Sequence, residues 1–316
     1  MEKWDEKYRP RDFKEVEDHR DTVQRLQVML KKKEIVNFLL VGPPGISKTT
    51  CMLIFAKQYL GEKFEEGFKM LNASDHRGLK TVKQEIKAFC EKKVTFAEPR
   101  TKKIVLLDEA DSMVKQAQHN LRFLMRSYAE TTAFFLICND IAKMVDQLVS
   151  NCVFLRLEKV SKPCIVNRLK FICAAEKVSF EDQGLETIAD YADGDMRQAV
   201  TNLEVLAKAE IKISSDTVQQ VLGVPKEETI LRALRNLLDK NFWGARKEVH
   251  ALKVEGYSSI DILHLLIDHV KHKLNKVDDK DRRNLEYHFG KTLSILTETC
   301  DSALQLDGCL AKLCIK

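Results

Sequence analysis

Nine consecutive residues, Gly42, Pro43, Pro44, Gly45, Ile46, Ser47, Lys48, Thr49 and Thr50, place a glycine-bearing turn directly ahead of a lysine and two hydroxyls. An apolar run over 37–41 leads into the turn, and a segment of helical character follows it. In such a setting backbone N–H groups surround phosphate oxygens while the lysine supplies a point charge. Further along, Ile104-Val-Leu-Leu-Asp-Glu-Ala-Asp111 ends an apolar strand on two carboxylates. Asp108 and the Thr49 hydroxyl are hard oxygen donors of the kind Mg²⁺ takes, and Glu109 stands where a water would be oriented. Together the two motifs predict a site for a nucleoside triphosphate and its metal.

One position is irregular. The P-loop pattern has glycine immediately before its lysine, and this chain has Ser47. A side chain there crowds a turn that glycine enters freely, although serine keeps the backbone donor on which phosphate binding depends. Binding therefore follows more directly from the motif than hydrolysis does.

Two more residues belong to the constellation. Asn139 closes an apolar run over 133–139; it either polarises the attacking water or simply ends a strand. Arg197, in Gly194-Asp-Met-Arg-Gln198, begins a later helix. It either reaches the γ-phosphate from across the cleft or is an ordinary surface arginine. His264, His269 and His272 share one predicted helix with Asp268 but complete no familiar ligand spacing. Lys31-Lys-Lys33 reads as a solvated basic turn.

These residues need a scaffold that brings strand ends together. Short apolar runs over 37–41, 68–72, 104–108, 133–139 and 153–157 alternate with longer mixed segments, the pattern of a parallel sheet covered by helices. Ligands collect at the carboxyl ends of such strands, where Asp108 and Asn139 fall. From about Ser161 the period becomes helical, over 164–176, 182–191, 196–209 and 215–222. After Gly223-Val-Pro225 come 227–238, 242–253 and 259–274. The expected organisation is an α/β nucleotide-binding domain over 1–158, a small helical lid over 159–224 and an all-helical C-terminal domain over 225–316.

Composition sets the outer bounds. The chain has 316 residues, 44% of them hydrophobic, enough to bury more than one core. Its 52 Lys+Arg against 47 Asp+Glu leave a formal charge of +5, which permits an anionic partner without demanding one. No apolar run approaches the roughly 20 residues that cross a bilayer, and Met1-Glu-Lys-Trp-Asp5 lacks the apolar core of a signal peptide. An intracellular chain is expected. Nine cysteines with no Cys-x-x-Cys pair fit reduced thiols better than disulfides or zinc, and Cys309 and Cys314 are too loosely placed for a structural site.

Assembled in this way, the sequence resembles the AAA+ small subunits of replication factor C, the eukaryotic sliding-clamp loader, from Trp4 to Lys316. Trp4-Asp-Glu-Lys-Tyr-Arg-Pro10 is similar to that family's adenine-cradling segment, which implies nucleotide contacts by Tyr8, Arg9 and Pro10. Leu71-Asn-Ala-Ser-Asp-His-Arg-Gly78 resembles its motif after the second strand, Asp108-Glu-Ala-Asp-Ser-Met113 its acidic motif, and Gly194-Asp-Met-Arg-Gln-Ala199 its sensor-2 helix. Gly256-Tyr-Ser-Ser259 and Leu310-Ala-Lys-Leu-Cys314 are most similar to the subunit-2 class.

The resemblance implies ATP with Mg²⁺ at the interfaces of a five-subunit ring, joined by a C-terminal collar. It implies other replication factor C subunits, the proliferating cell nuclear antigen and primer-template DNA as partners, and a nuclear location. Arg77, Lys83 and Lys143 map onto family positions that track the DNA backbone, all basic as phosphate contacts require.

The chain departs from the family in further places. Ser150-Asn-Cys152 stands where the family has Ser-Arg-Cys, so Asn151 cannot offer an arginine finger to a neighbour's ATP. Phe123 and Ala133 stand where the family commonly has arginines, which lowers the positive charge expected near the sheet's edge. Two functions compete: a subunit that hydrolyses ATP with Lys48, Thr49, Asp108, Glu109, Asn139 and Arg197, and a ring member that binds nucleotide but turns little over. A stand-alone P-loop kinase or helicase is a third, weakened by the absence of a recognisable acceptor site.

Overall fold

A computed structural model describes residues 3–16, 18–73, 79–96, 100–209, 211–223, 225, 227–272, 278–299 and 302–315, without the side chains of 79–83 and 272. The chain forms two compact units, Met1–Val218 and Gln219–Lys316.

The first unit is built on a sheet of five strands, β1 (Phe38–Val41), β2 (Phe68–Asn72), β3 (Lys103–Asp108), β4 (Thr132–Cys138) and β5 (Val153–Arg156). Their order is β2-β3-β4-β1-β5, with every pairing parallel. β1, β3 and β4 are almost wholly buried, as continuous apolar runs of a sheet covered on both faces should be. Each strand lies within a residue of its predicted bounds at either end.

The helix Lys48–Leu60 springs from the end of β1 and is buried along most of its surface. It is seated by an aromatic cluster: the Phe55 ring lies 5.7 Å from Phe38 and 5.6 Å from Phe135, whose own centroids are 5.1 Å apart. On the other face Leu39, Val105, Leu107, Phe134 and Leu136 pack with Leu121, Leu124 and Met125 of the helix Lys115–Ser127. Ala133, expected near the sheet's edge, is instead 2% exposed in β4, flanked by β3 and β1. It stands at the start of a central strand, beside a pocket it shares with Asn37, Lys102 and Cys152. Phe123 does face outward, at 65% exposure.

The helices Lys162–Glu176, Asp182–Ala192 and Met196–Lys208 complete this unit's chemistry. The last begins at Asp195, whose carboxylate accepts from the Gln198 amide at 2.9 Å as an N-cap.

In the second unit five helices, Glu227–Leu238, Phe242–Val254, Ser259–His272, Asp279–Glu298 and Ala303–Cys314, enclose one apolar core. Leu234, Leu252, Leu266, Phe289 and Leu310 are fully buried there. Among the described residues no helix is long and apolar enough to cross a membrane, and no three His, Cys, Asp or Glu converge as metal ligands. His269 bonds the Leu265 carbonyl one turn back at 2.8 Å, and the His272 side chain lies outside the described residues.

Candidate nucleotide site

Three strand ends and two helix starts meet at the site. β1 delivers Gly42 and the loop to Ser47, β3 delivers Asp108 and Glu109, and β4 delivers Asn139. Gly42 cannot carry a side chain, since a Cβ there would come within 2.4 Å of the Leu157 carbonyl oxygen. Gly45 has φ +69, and a Cβ there would lie 1.7 Å from an Asp195 carboxylate oxygen. The Met196 amide also donates to the Gly45 carbonyl at 3.2 Å, so the helix Met196–Lys208 starts against the loop.

Ser47 has φ 67 and ψ 22, the left-handed region. The P-loop pattern therefore asks for glycine here on conformational grounds, and this chain meets the same geometry with an L side chain. The first amides of the helix Lys48–Leu60 have no intrahelical partner, and the helix dipole adds partial positive charge to them.

Lys48 is 7% exposed. Its ammonium donates to the Gly42 carbonyl at 2.7 Å, the Pro43 carbonyl at 2.5 Å and Asn139 Oδ1 at 2.8 Å. Burial pulls its pKa below the ordinary lysine value, while Asp108 and Asp111 pull the other way. The Thr49 hydroxyl donates to Asp108 Oδ2 at 2.8 Å. A hydroxyl and a carboxylate held this close are a hard-oxygen donor pair suited to Mg²⁺, so these residues fit the ion that the motif implies. Glu109 is exposed beside them with φ 54, directing its side chain out of the strand line.

Asp111 was part of the acidic motif without an assigned role. Its Oδ2 accepts from the amides of Asn139 at 3.2 Å and Asp140 at 3.0 Å, tying the end of β4 to the turn after β3. The only sequence trace of this is its spacing, one short turn beyond Asp108.

The opposite wall comes from the N-terminal segment, held by residues far away in the chain. Tyr8 OH and the Lys7 ammonium both donate to Glu176 Oε1, each at 2.5 Å. Arg168 Nη2 donates to the Tyr8 carbonyl at 2.6 Å, and the Trp4 amide to Glu204 Oε2 at 3.0 Å. Arg9 Nε donates to Thr50 Oγ1 at 3.1 Å. Burial and the Glu176 bond raise the Tyr8 pKa, while the bonds from Lys7 and Tyr8 lower that of Glu176.

One cleft is lined by Tyr8, Arg9, Pro10, the loop 44–50, Asp108, Glu109, Asn139 and Arg197. The structure thus brings the predicted loop, acidic, Asn139 and Arg197 residues to one place. Lys143 is exposed after a short turn at Ile141–Lys143, and its carbonyl accepts from Gln118 Nε2 at 3.0 Å. Arg77 and the Lys83 side chain lie outside the described residues.

A P-loop on a five-stranded parallel sheet, followed by a helical bundle that closes on it, defines a nucleotide-binding unit of the AAA+ class. Residues 38–160 match the ATPase family associated with various cellular activities, and 167–208 match the RCF1/5-like AAA+ ATPase lid domain. Residues 225–312 match the replication factor C C-terminal domain. Replication factor C subunit 2 of Arabidopsis thaliana is 38% identical over 99% of this chain and 93% of its own length. Subunit 4 of Oryza sativa subsp. japonica is 39% identical over 98% and 91%. The small subunit of Staphylothermus marinus is 34% identical over 98% and 94%. A Thermotoga maritima RuvB Holliday junction branch migration motor shares the fold, with a TM-score of 0.56 at 16% identity over 73% of this chain and 79% of that one. The chain belongs to the replication factor C family, the AAA+ clamp loaders of DNA replication.

Proposed function

We propose that this chain is an ATP- and Mg²⁺-binding subunit of a five-membered clamp-loader ring. In this reading the ring opens the proliferating cell nuclear antigen, places it on primer-template DNA in the nucleus, and releases it on hydrolysis. The observation that carries it is the convergence of Lys48, Asn139, Thr49 and Asp108 across three strand ends, with direct bonds of 2.8 Å between Lys48 and Asn139 and between Thr49 and Asp108. Lys48 and the loop amides would hold the phosphates, with Thr49 and Asp108 holding Mg²⁺. When bound, the ion draws negative charge off the transferring phosphoryl group. Glu109 and Asn139 would orient the attacking water, and Arg197 would reach the phosphates from the lid.

We assign three functional domains, 1–158, 159–224 and 225–316, the last as the collar that joins neighbouring subunits. Arg77, Lys83 and Lys143 would follow the DNA backbone without reading sequence.

A second reading, a subunit that binds nucleotide but hydrolyses little, is favoured by the left-handed Ser47 and by Asn151. Lys48→Ala in this subunit alone, inside the assembled ring, separates the two. A working site predicts lower ATP turnover and slower clamp loading. Unchanged turnover with impaired loading supports the second reading, and no change in either removes both.

A further inference from the structure

The N-terminal segment that walls the cleft is too short to hold itself. The helix Trp4–Lys7 is a single turn with no buried residue, and one turn fixes more backbone than its own hydrogen bonds repay. Its place is therefore set from outside. Glu176, at the end of the helix Lys162–Glu176, accepts from Tyr8 OH and from the Lys7 ammonium, each at 2.5 Å. Earlier on the same helix Arg168 holds the Tyr8 carbonyl and lies over the Phe171 ring at 5.2 Å, and Phe171 meets the Tyr8 ring edge-on at 6.3 Å. On the side of the loop, Arg9 donates to Thr50, next to the Thr49 that bonds Asp108.

The lining of the cleft divides by chemistry. The loop 44–50, Asp108, Glu109 and Asn139 offer the groups that phosphates and their metal take, while Pro10, Val16, His19, Val160, Met196 and Val200 are mostly apolar and suit the flat face of a base. Tyr8 and Arg9 belong to the lining, and Glu176 stands outside it. A wall fastened before the ligand arrives need not be ordered on binding, and the entropy so spared appears as affinity.

Resting on the nucleotide reading of this cleft, we infer that Glu176 is a positioning residue: through the Tyr8 hydroxyl it fixes the wall against which the nucleoside lies, and so sets affinity for that part of the ligand without touching it. The bond to Tyr8 carries the effect, because the Lys7 side chain is 45% exposed and its ion pair with Glu176 contributes little. The full chain is titrated calorimetrically, with Mg²⁺, against ATP and against inorganic tripolyphosphate, which brings phosphates and no nucleoside. In Glu176→Ala, ATP should bind about tenfold more weakly, the worth of one charge-assisted hydrogen bond, and tripolyphosphate within about twofold of wild type. Glu176→Gln keeps an acceptor for Tyr8 and should hold ATP to within about threefold of wild type.

A cycle with Tyr8→Phe separates positioning from a general loosening of the helix. The phenylalanine variant should lose ATP affinity as Glu176→Ala does, and the double variant should lose no more than either alone. Thermal melting checks that each variant is folded, and Glu176→Met read in the same way takes its place where alanine is not tolerated. Equal losses for ATP and tripolyphosphate, additive losses in the cycle, or no loss in Glu176→Ala overturns the assignment while leaving the cleft a nucleotide site. Where tripolyphosphate binds too weakly to titrate, the cycle alone decides. Failure of the wild type to bind ATP overturns the nucleotide reading and the role of Glu176 with it.

Discussion

The cleft and the turn at Ser150–Cys152 stand in the same unit and make opposite use of their polar side chains. In the cleft, Lys48 spans from the loop to Asn139, and Thr49 bonds Asp108, so charged and polar groups are held in register between separate strands. At the turn, Asn151 Nδ2 donates to the Gln147 carbonyl at 2.7 Å, and the Asn151 carbonyl accepts from Asn37 Nδ2 at 3.4 Å. Ser150 Oγ also donates to the Gln147 carbonyl, at 3.3 Å. One region keeps both signs of charge aimed at a common space, while the other satisfies itself locally with neutral groups. A chain built this way is equipped to receive a nucleotide, and its turn at Ser150-Asn-Cys152 carries no cation.

The largest test of that contrast is Asn151→Arg. An arginine supplied in trans is worth ~10³–10⁵ in phosphoryl transfer. In the assembled ring, single-turnover hydrolysis at the site facing this turn should rise by on the order of 10³, with ATP affinity of this chain's own cleft unaltered. Unchanged turnover would mean that another residue already supplies the charge.

Asp111→Ala attacks the other half of the comparison. Its carboxylate holds two amides at the end of β4, and charge-assisted bonds of that kind contribute about 1.5–3 kcal/mol. Releasing them frees Asn139 from its position against Lys48. Because Asp111 itself touches no nucleotide group in this scheme, turnover should fall about tenfold or more while nucleotide affinity changes by less. A loss confined to affinity would show that Asn139 acts in binding alone.

What the sequence disclosed follows the same division. The five strands and the residues at their carboxyl ends were legible because a buried parallel strand is an unbroken apolar run, and its last residue is marked by a change to polar character. The Asp108 and Asn139 positions came directly from that rule, and Lys48 from the glycine-bearing turn that follows the first run. The wall made by Trp4, Tyr8 and Arg9 was legible only by resemblance, since its partners Glu204, Glu176 and Arg168 lie 200, 168 and 160 positions away with no periodic signal. Ala133 was misplaced because its burial depends on strand order, which no local pattern encodes. The conformational reason for glycine at position 47 was legible from the motif, but not that this chain retains the same φ with serine.

Ser47→Gly measures that retained strain. A left-handed backbone costs an L residue roughly 1–2 kcal/mol, and glycine's extra freedom in the unfolded chain offsets part of the gain. A net stabilisation of about 1 kcal/mol should raise the melting temperature by about 2–4 °C. Asn151→Arg, on the exposed turn, should leave it unmoved. No gain from glycine would mean that serine's own contacts offset the strain.

The smallest expected effect is a pH dependence within the cleft wall. Burial lowers the His19 pKa below its ordinary 6.5, against the attraction of Asp18 and Glu158. The unfolded chain then binds a proton on this ring at a higher pH than the folded chain does. Stability from the neutral ring is fully present above 6.5 and declines as pH falls from there toward the depressed folded-state value. Urea unfolding of the wild type and His19→Phe, compared at pH values on either side of that window, isolates the contribution, because the carboxylates common to both proteins largely cancel. The wild type should lose more stability on acidification than the variant. Parallel losses would show that the ring is no more buried from protons when folded than when unfolded, and would place the acid sensitivity of the cleft on its carboxylates instead.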